Sequence, residues 1–326
     1  MLKSNKFNRL IADIGGTHSR LALDSPGKGP EQITIFTNRD FTDLACIIEK
    51  YLGGLDPAQS PRTAAFSVAS PIAGDLIKLT NIQWEFSVSN YQSRFGLEKL
   101  HVINDFFAIA LAIPGLRYGD RLPIGNGEAI AGYPVGVIGP GTGLGVAGLV
   151  PAGDDWIPIA GEGGHVTLAA VTEKEARLIE LIRKQHGHVS AERLVSGPGL
   201  AILYQTLARR EGKTVEPLAA PELIRRARAR EDTLAVEAAD TFLAMLGTVA
   251  GNLALTLGAL GGIYLAGGIL PRIPDLLQAS CFRARFMDKG RYRPYLETIP
   301  TWLITTETPA LNGLQAYLRR EDSATG

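Results

Sequence analysis

Two short glycine-tipped turns, one in each half of the chain, constrain the fold more than any other feature of the sequence. Ala12-Asp13-Ile14-Gly15-Gly16-Thr17 closes one apolar run, and Gly139-Pro140-Gly141-Thr142-Gly143 closes another far downstream. Each tip has β-forming residues before it (Leu10-Ile11-Ala12; Val135-Gly136-Val137-Ile138) and a second apolar run after it (Leu21-Ala22-Leu23; residues 144–150), as expected of a hairpin with a glycine-rich turn. Without a Cβ, such a turn lets backbone N–H groups come close to an anion. Two of them predict a duplicated α/β fold that holds one polyphosphate between its halves. There is no G-x-x-x-x-G-K-S/T and no G-x-G-x-x-G opening a helix, which argues against P-loop and dinucleotide folds.

Length agrees with a duplication, since 326 residues suggest about two domains of roughly 150 residues each. The pattern restarts after Gly132-Tyr133-Pro134, so the expected domains are a smaller one over 1–133 and a larger one over 134–326. Lysine plus arginine equal aspartate plus glutamate at 33 each, leaving no global field to recruit nucleic acid or an anionic membrane. A small-molecule partner fits better. Cys46 and Cys281 cannot make a four-thiolate zinc site and read as buried thiols of a reducing cytoplasm. Residues 1–9 carry no apolar core of the length a secretory signal needs, so a cytoplasmic protein is expected. From Thr241 to Pro271 no residue is charged, and Gly247/Gly251 and Gly258/Gly262 match a small-xxx-small pattern. This segment reads as a buried core helix, followed by a strand at residues 263–266 that ends on Gly267-Gly268.

Strands at residues 9–13, 19–24 and 32–36 and an amphipathic helix near 43–51 form a βββα unit, with further strands at 64–68 and 101–103 and a helix at 106–113. The second half has strand 135–138 and helices near 173–185, 199–210, 221–230, 233–260 and 311–319. The basic run at residues 225–230 has no interleaved aromatics and reads as an exposed helix face.

Phosphoryl transfer asks little covalent help of a protein beyond positioning, charge neutralisation by Mg²⁺ and one group to take the nucleophile's proton. Asp13, before the first turn, is placed to orient metal-bound water, or is simply a turn-forming aspartate. Asn104-Asp105 follows a strand and opens an apolar helix, where α/β folds bind ligands, yet both residues are also preferred helix caps. In Gly161-Glu162-Gly163-Gly164-His165 flanking glycines free a loop to aim a carboxylate and an imidazole at one ligand. Glu192, Thr80-Asn81 and Trp84 complete a set suited to sugar hydroxyls, although Trp84 reads more naturally as core.

At these residues the chain resembles the bacterial glucokinases, the ATP-dependent hexokinases outside the ROK group, which have the actin, Hsp70 and sugar-kinase fold. The likeness also includes Ser190-Ala191-Glu192-Arg193, Ser196-Gly197-Pro198-Gly199 and Leu265-Ala266-Gly267-Gly268-Ile269, and it runs nearly end to end. It implies two actin-like (ribonuclease H-like) lobes with an interdomain cleft and an ATP- and Mg²⁺-dependent enzyme that phosphorylates D-glucose on its 6-hydroxyl. Asp105 would be the base, and Asn81, Asn104, Glu162, His165 and Glu192 would bind the sugar. ATP would lie on Ala12, Asp13, Ile14, Gly15, Gly16 and Thr17, on Gly139, Gly141, Thr142 and Gly143, and near Gly267 and Gly268. No tight protein cage for the metal is expected, with Asp13 reaching Mg²⁺ through water. A homodimer is expected by the same analogy. One departure is His18, where the family usually has asparagine. The alternatives are a kinase for another hexose or amino sugar, or a sugar-sensing regulatory protein without the chemistry.

Overall fold

The first glycine turn joins β1 (Arg9–Ile14) to β2 (His18–Asp24), and β3 (Pro30–Thr37) completes the meander. The computed structural model describes residues 8–25 and 28–324; the leaderless reading of the amino terminus falls on residues 1–7, outside the described residues. Asp43 accepts a hydrogen bond from the Cys46 amide and so starts α1 (Leu44–Gly53), which buries Leu44, Ile47 and Ile48. Then come β4 (Thr63–Val68), a hairpin of β5 (Leu76–Lys78) and β6 (Glu85–Ser87), α2 (Val88–Phe95), β7 (Lys99–Asn104) and α3 (Asp105–Ala112). The strand order is β3-β2-β1-β4-β7, antiparallel as far as β1 and parallel from β1 through β7. Consecutive residues Leu10, Ile11 and Ala12 are all fully buried, so β1 is covered on both faces and reads as an unbroken apolar run.

The second half repeats the plan. β8 (Arg121–Pro123) precedes β9 (Val135–Pro140), β10 (Leu144–Ala152) and β11 (Asp155–Gly161). Next are α4 (Glu173–His186), α5 (Ala191–Leu194), α6 (Gly197–Arg210), α7 (Ala220–Ala229) and α8 (Thr233–Leu257). β12 (Ile263–Leu265), α9 (Pro274–Ala279), α10 (Phe282–Met287), α11 (Arg293–Thr298), β13 (Thr301–Ile304) and α12 (Pro309–Ala324) finish the chain. The order β11-β10-β9-β12-β13-β8 matches the first sheet in sequence and direction, with β8 added antiparallel at one edge. The duplication read from the two tips is present in the topology.

The chain divides into two compact units, residues 1–116 with 306–326, and residues 117–305. This differs from a single cut after residue 133, for two reasons. β8 pairs with β13 and so belongs with the second sheet. α12 returns to the first unit, where the buried Gln315 donates to Asp24 and to the Lys28 carbonyl, each at 2.5 Å. Arg9 pairs with both Asp24 and Asp322, fastening α12 to β1 and β2.

α8 is, among the described residues, the helix long and apolar enough to cross a membrane; 83% of its most apolar window is buried inside the protein. Its glycines explain part of that composition. A Cβ on Gly247 would stand 2.3 Å from the Phe282 carbonyl oxygen, and one on Gly251 2.4 Å from that of Phe286, so this pair seats α10 within the same chain. Gly258, at φ +60°, ends the helix, so the second glycine pair is not part of a helical stripe. The buried Glu175 of α4 receives Arg285 of α10 at 2.6 Å, and Arg285 also donates to Thr248 of α8.

The basic run lies on α7 and is neutralised locally, with Arg225 and Arg226 on Glu222 and Arg228 on Asp275. Trp84 is buried in the first unit's core. The cysteine reading is corrected: Cys46 is half-buried and Cys281 is exposed, because Cys281 sits at the entry of the short α10 and not on its packed face.

Candidate active site

Parallel pairing brings the first unit's candidates to one edge. Ile14, Val68 and Asn104 are level across β1, β4 and β7, with Asp13, Ser67 and Ile103 one row behind. Asp105 therefore begins α3 where the sheet ends, on the edge that carries Gly15, and it is partly exposed. Asn104 is the N-cap, its Oδ1 accepting from the amides of Phe106 at 2.9 Å and Phe107 at 3.2 Å, while Asp105 Oδ1 shares the Phe106 amide at 2.9 Å.

The first turn is held from behind by a residue that sequence reasoning missed. Asn38 is 1% exposed; its Nδ2 donates to the Gly15 carbonyl at 2.8 Å, its N–H to the Thr17 carbonyl at 2.9 Å, and its Oδ1 accepts from Ser19 at 2.8 Å. Two carbonyls are thus turned back into the protein, which removes acceptors from the tip. A Cβ on Gly16 would meet that of Asn81 at 2.7 Å, so the β5–β6 turn closes a crevice against the glycine tip. Ser70 ties that turn down through Thr80. Ala12 and Ile14 are buried, with their backbones in the β1 ladders, and form the floor of the turn. His18 opens β2 opposite Thr37.

Asp13 keeps 18% of its side-chain surface, 3.2 Å from Arg20, and accepts from Ser67 at 3.0 Å. Burial pushes its carboxyl above the ordinary aspartate range, against the opposing pull of Arg20 and Ser67. A carboxyl held above its unfolded value subtracts from stability as pH rises from the ordinary range through the raised one. Asp13→Asn is therefore expected to raise Tm at pH 7, with the gain shrinking as pH falls toward 4. Thermal melts of both proteins across that interval check it; an equal or lower Tm at pH 7 contradicts it.

The second unit gathers the other candidates around its own tip. A Cβ on Gly139 would stand 2.4 Å from the Ala266 carbonyl, and one on Gly267, at φ +86°, 2.4 Å from that of Pro140. These glycines let the backbones of β9 and of the segment after β12 lie against each other, joined by the Ala266 amide on the Ile138 carbonyl. Gly268 faces open space, a Cβ on Gly141 would make only ordinary contact with the Gly268 amide at 3.8 Å, and Thr142 is exposed at the tip. The Gly197 amide, at the start of α6, donates to the Gly141 carbonyl at 2.8 Å.

The glycine loop after β11 lies beside the same tip. Gly164 has no room for a side chain, since a Cβ would fall 2.1 Å from the Leu144 carbonyl oxygen. Glu162 and His165 are exposed, and His165 Nε2 lies 3.9 Å from Glu192 Oε1. The other Glu192 oxygen accepts the Leu144 amide at 2.8 Å. The second unit thus assembles Glu162, His165 and Glu192 with Gly139, Gly141, Thr142, Gly143, Gly267 and Gly268. The first assembles Asn81, Asn104 and Asp105 with the other tip.

A family model described as Glucokinase matches residues 10–321. The chain belongs to the glucokinase family. It is similar to the glucokinase of Aromatoleum aromaticum, with 47% identity covering 97% of this chain and 96% of that one. It is also similar to the glucokinase of Nitrobacter hamburgensis, with 46% identity over 96% and 98% of the two chains. Among solved structures, a glucokinase from an Antarctic psychrotroph superimposes with a TM-score of 0.85 at 38% identity, covering 96% of this chain and 99% of that one. Glucokinases of this family are ATP-dependent sugar kinases. Among the described residues no three His, Cys, Asp or Glu side chains converge on a metal position.

Proposed function

We propose that the protein transfers the γ-phosphoryl group of ATP to the 6-hydroxyl of D-glucose, giving glucose 6-phosphate and ADP. The observation that carries this reading is the register across β1, β4 and β7, which sets a partly exposed Asp105 on the edge that bears the first glycine tip. In this reading Asp105 accepts the hydroxyl proton as the alcohol oxygen attacks phosphorus. Asn104, fixed by its capping bonds, presents its amide group toward the sugar, and Asn81 lines the crevice beside the first glycine tip. Glu162, His165 and Glu192 supply acceptors and a donor for the remaining hydroxyls. Backbone amides of the two tips hold phosphate oxygens, with Thr17 and Thr142 as the exposed hydroxyls beside them. Mg²⁺ on the nucleotide would neutralise phosphate charge, and Asp13 would orient one of its waters.

The test is a coupled assay of ADP release with ATP across D-glucose, mannose, glucosamine and N-acetylglucosamine. The reading expects D-glucose to give the highest kcat/KM, and no turnover on any sugar would overturn it. Glu162→Gln is expected to raise the glucose KM about tenfold while shifting the ATP KM less than about threefold, since one charged hydrogen bond to the sugar is weakened. Equal shifts in both would remove Glu162 from the sugar side. A homodimer belongs to the same proposal and is read by light scattering. Its contact would not use Gly247 and Gly251, which α10 already covers.

A further inference from the structure

The second glycine tip contains a residue whose missing side chain makes room for a carboxylate. A Cβ on Gly143 would lie 2.4 Å from Glu192 Oε2 and 3.1 Å from its carboxyl carbon. The neighbouring Gly141 is different: its nearest neighbour would be the Gly268 amide at 3.8 Å, ordinary contact. Glu192 occupies the space above Gly143 because Oε2 accepts the Leu144 amide at 2.8 Å, bonding the carboxylate to the first residue after the tip. Oε1 points the other way, 3.9 Å from His165 Nε2. The backbone around Glu192 leaves it little freedom. Ala191 donates to the Val166 carbonyl, Leu168 to that of Val189, and Thr167 bridges Ser190, so the loop bearing His165 and the short α5 bearing Glu192 are laced together.

We propose that Glu192 couples the two substrate subsites, and that Gly143 is a positioning residue for the sugar, acting through Glu192. This rests on the functional reading above and deepens it. A carboxylate is one rigid plane, so its oxygens cannot be aimed independently. A sugar hydroxyl taken by Oε1 fixes the orientation of Oε2, and Oε2 in turn steadies the amide edge of the donor tip. The coupling runs both ways by thermodynamic necessity, so nucleotide tightens glucose as much as glucose tightens nucleotide.

The experiment compares wild type, Gly143→Ala, Gly141→Ala, Glu192→Ala and Glu192→Gln, with separate KM values for D-glucose and ATP, and ADP affinity measured with and without glucose. Gly143→Ala is expected to raise both KM values, that for D-glucose about tenfold, because the new methyl pushes Oε2 off the Leu144 amide and displaces the whole carboxylate. Gly141→Ala is expected to act on the ATP KM alone. Glu192→Ala removes the strut and should raise both. Glu192→Gln keeps an amide oxygen for Leu144 and should restore the ATP KM while the glucose KM stays high. In wild type glucose should tighten ADP about fivefold or more, a ratio that falls to about one in Glu192→Ala. A Gly143→Ala enzyme altered only in its ATP KM overturns the coupling. So does an ADP ratio unchanged by Glu192→Ala, a result that does not depend on Gly143→Ala folding. A wild type that turns over no glucose overturns the functional reading itself.

Discussion

Replacing Asp105 by asparagine is expected to lower kcat by a factor on the order of 10²–10⁴, the range a positioned general base contributes. Asparagine is the informative substitution because it retains an oxygen for the Phe106 amide, which Asp105 Oδ1 faces at 2.9 Å. The start of α3 also stays capped by Asn104, so the helix and its exit from β7 are undisturbed. What is lost is the ability to take a proton. Equilibrium glucose affinity should therefore stay within severalfold while single-turnover phosphorylation collapses. A variant that keeps ordinary turnover would take Asp105 out of the mechanism, and one that loses glucose affinity in proportion to kcat would make it a binding group instead.

The second large effect concerns a residue far from Asp105 in sequence. A Cβ on Gly313 of α12 would fall 1.7 Å from the Ala108 carbonyl oxygen and 2.4 Å from its carbon, both backbone atoms of α3. Neither helix can move aside cheaply, since α12 is held by Gln315 on Asp24 and by Arg9 on Asp322. Gly313→Ala should destabilise by about 1–3 kcal/mol as overpacking does, which corresponds to a Tm lowered by about 1.5–4.5 °C in a chain of this size. Because α3 begins at Asp105, the displaced helix should also reduce kcat more than glucose affinity. Gly53→Ala is the matched control: it lies at the end of α1 with nothing near its absent Cβ, and its Tm should change little. Indistinguishable melting of the two variants would mean that α12 does not brace α3.

Local chemistry made the strand–turn–strand tips, the Asn104-Asp105 junction and the buried α8 readable in advance. Each depends on residues within a few positions of one another: β-branched runs around glycines, a cap before an apolar helix, an uncharged stretch too long to be exposed. β11 and β13 were harder. β11 has no buried position, alternating only between partly buried and exposed ones, with Ile157 and Ile159 exposed, and β13 has four residues. Asn38 was invisible for another reason. Its partner carbonyl on Gly15 lies 23 positions away, and an asparagine after a strand has no local signature of that role.

The sequence alone determined that two β-hairpins with glycine tips exist and that a carboxylate follows a buried strand, because such patterns are written in short-range periodicity and backbone preference; the sugar-kinase family came from the resemblance of its ordered motifs. Tertiary structure decided what each glycine is for. Gly139 admits the Ala266 backbone, Gly143 a carboxylate, Gly247 the start of α10 and Gly313 the flank of α3, while Gly268 has nothing near its absent Cβ. It also decided that the last helix returns to the first unit. A missing Cβ records only that something comes close; which segment comes close is set by chain pairing across long sequence separations.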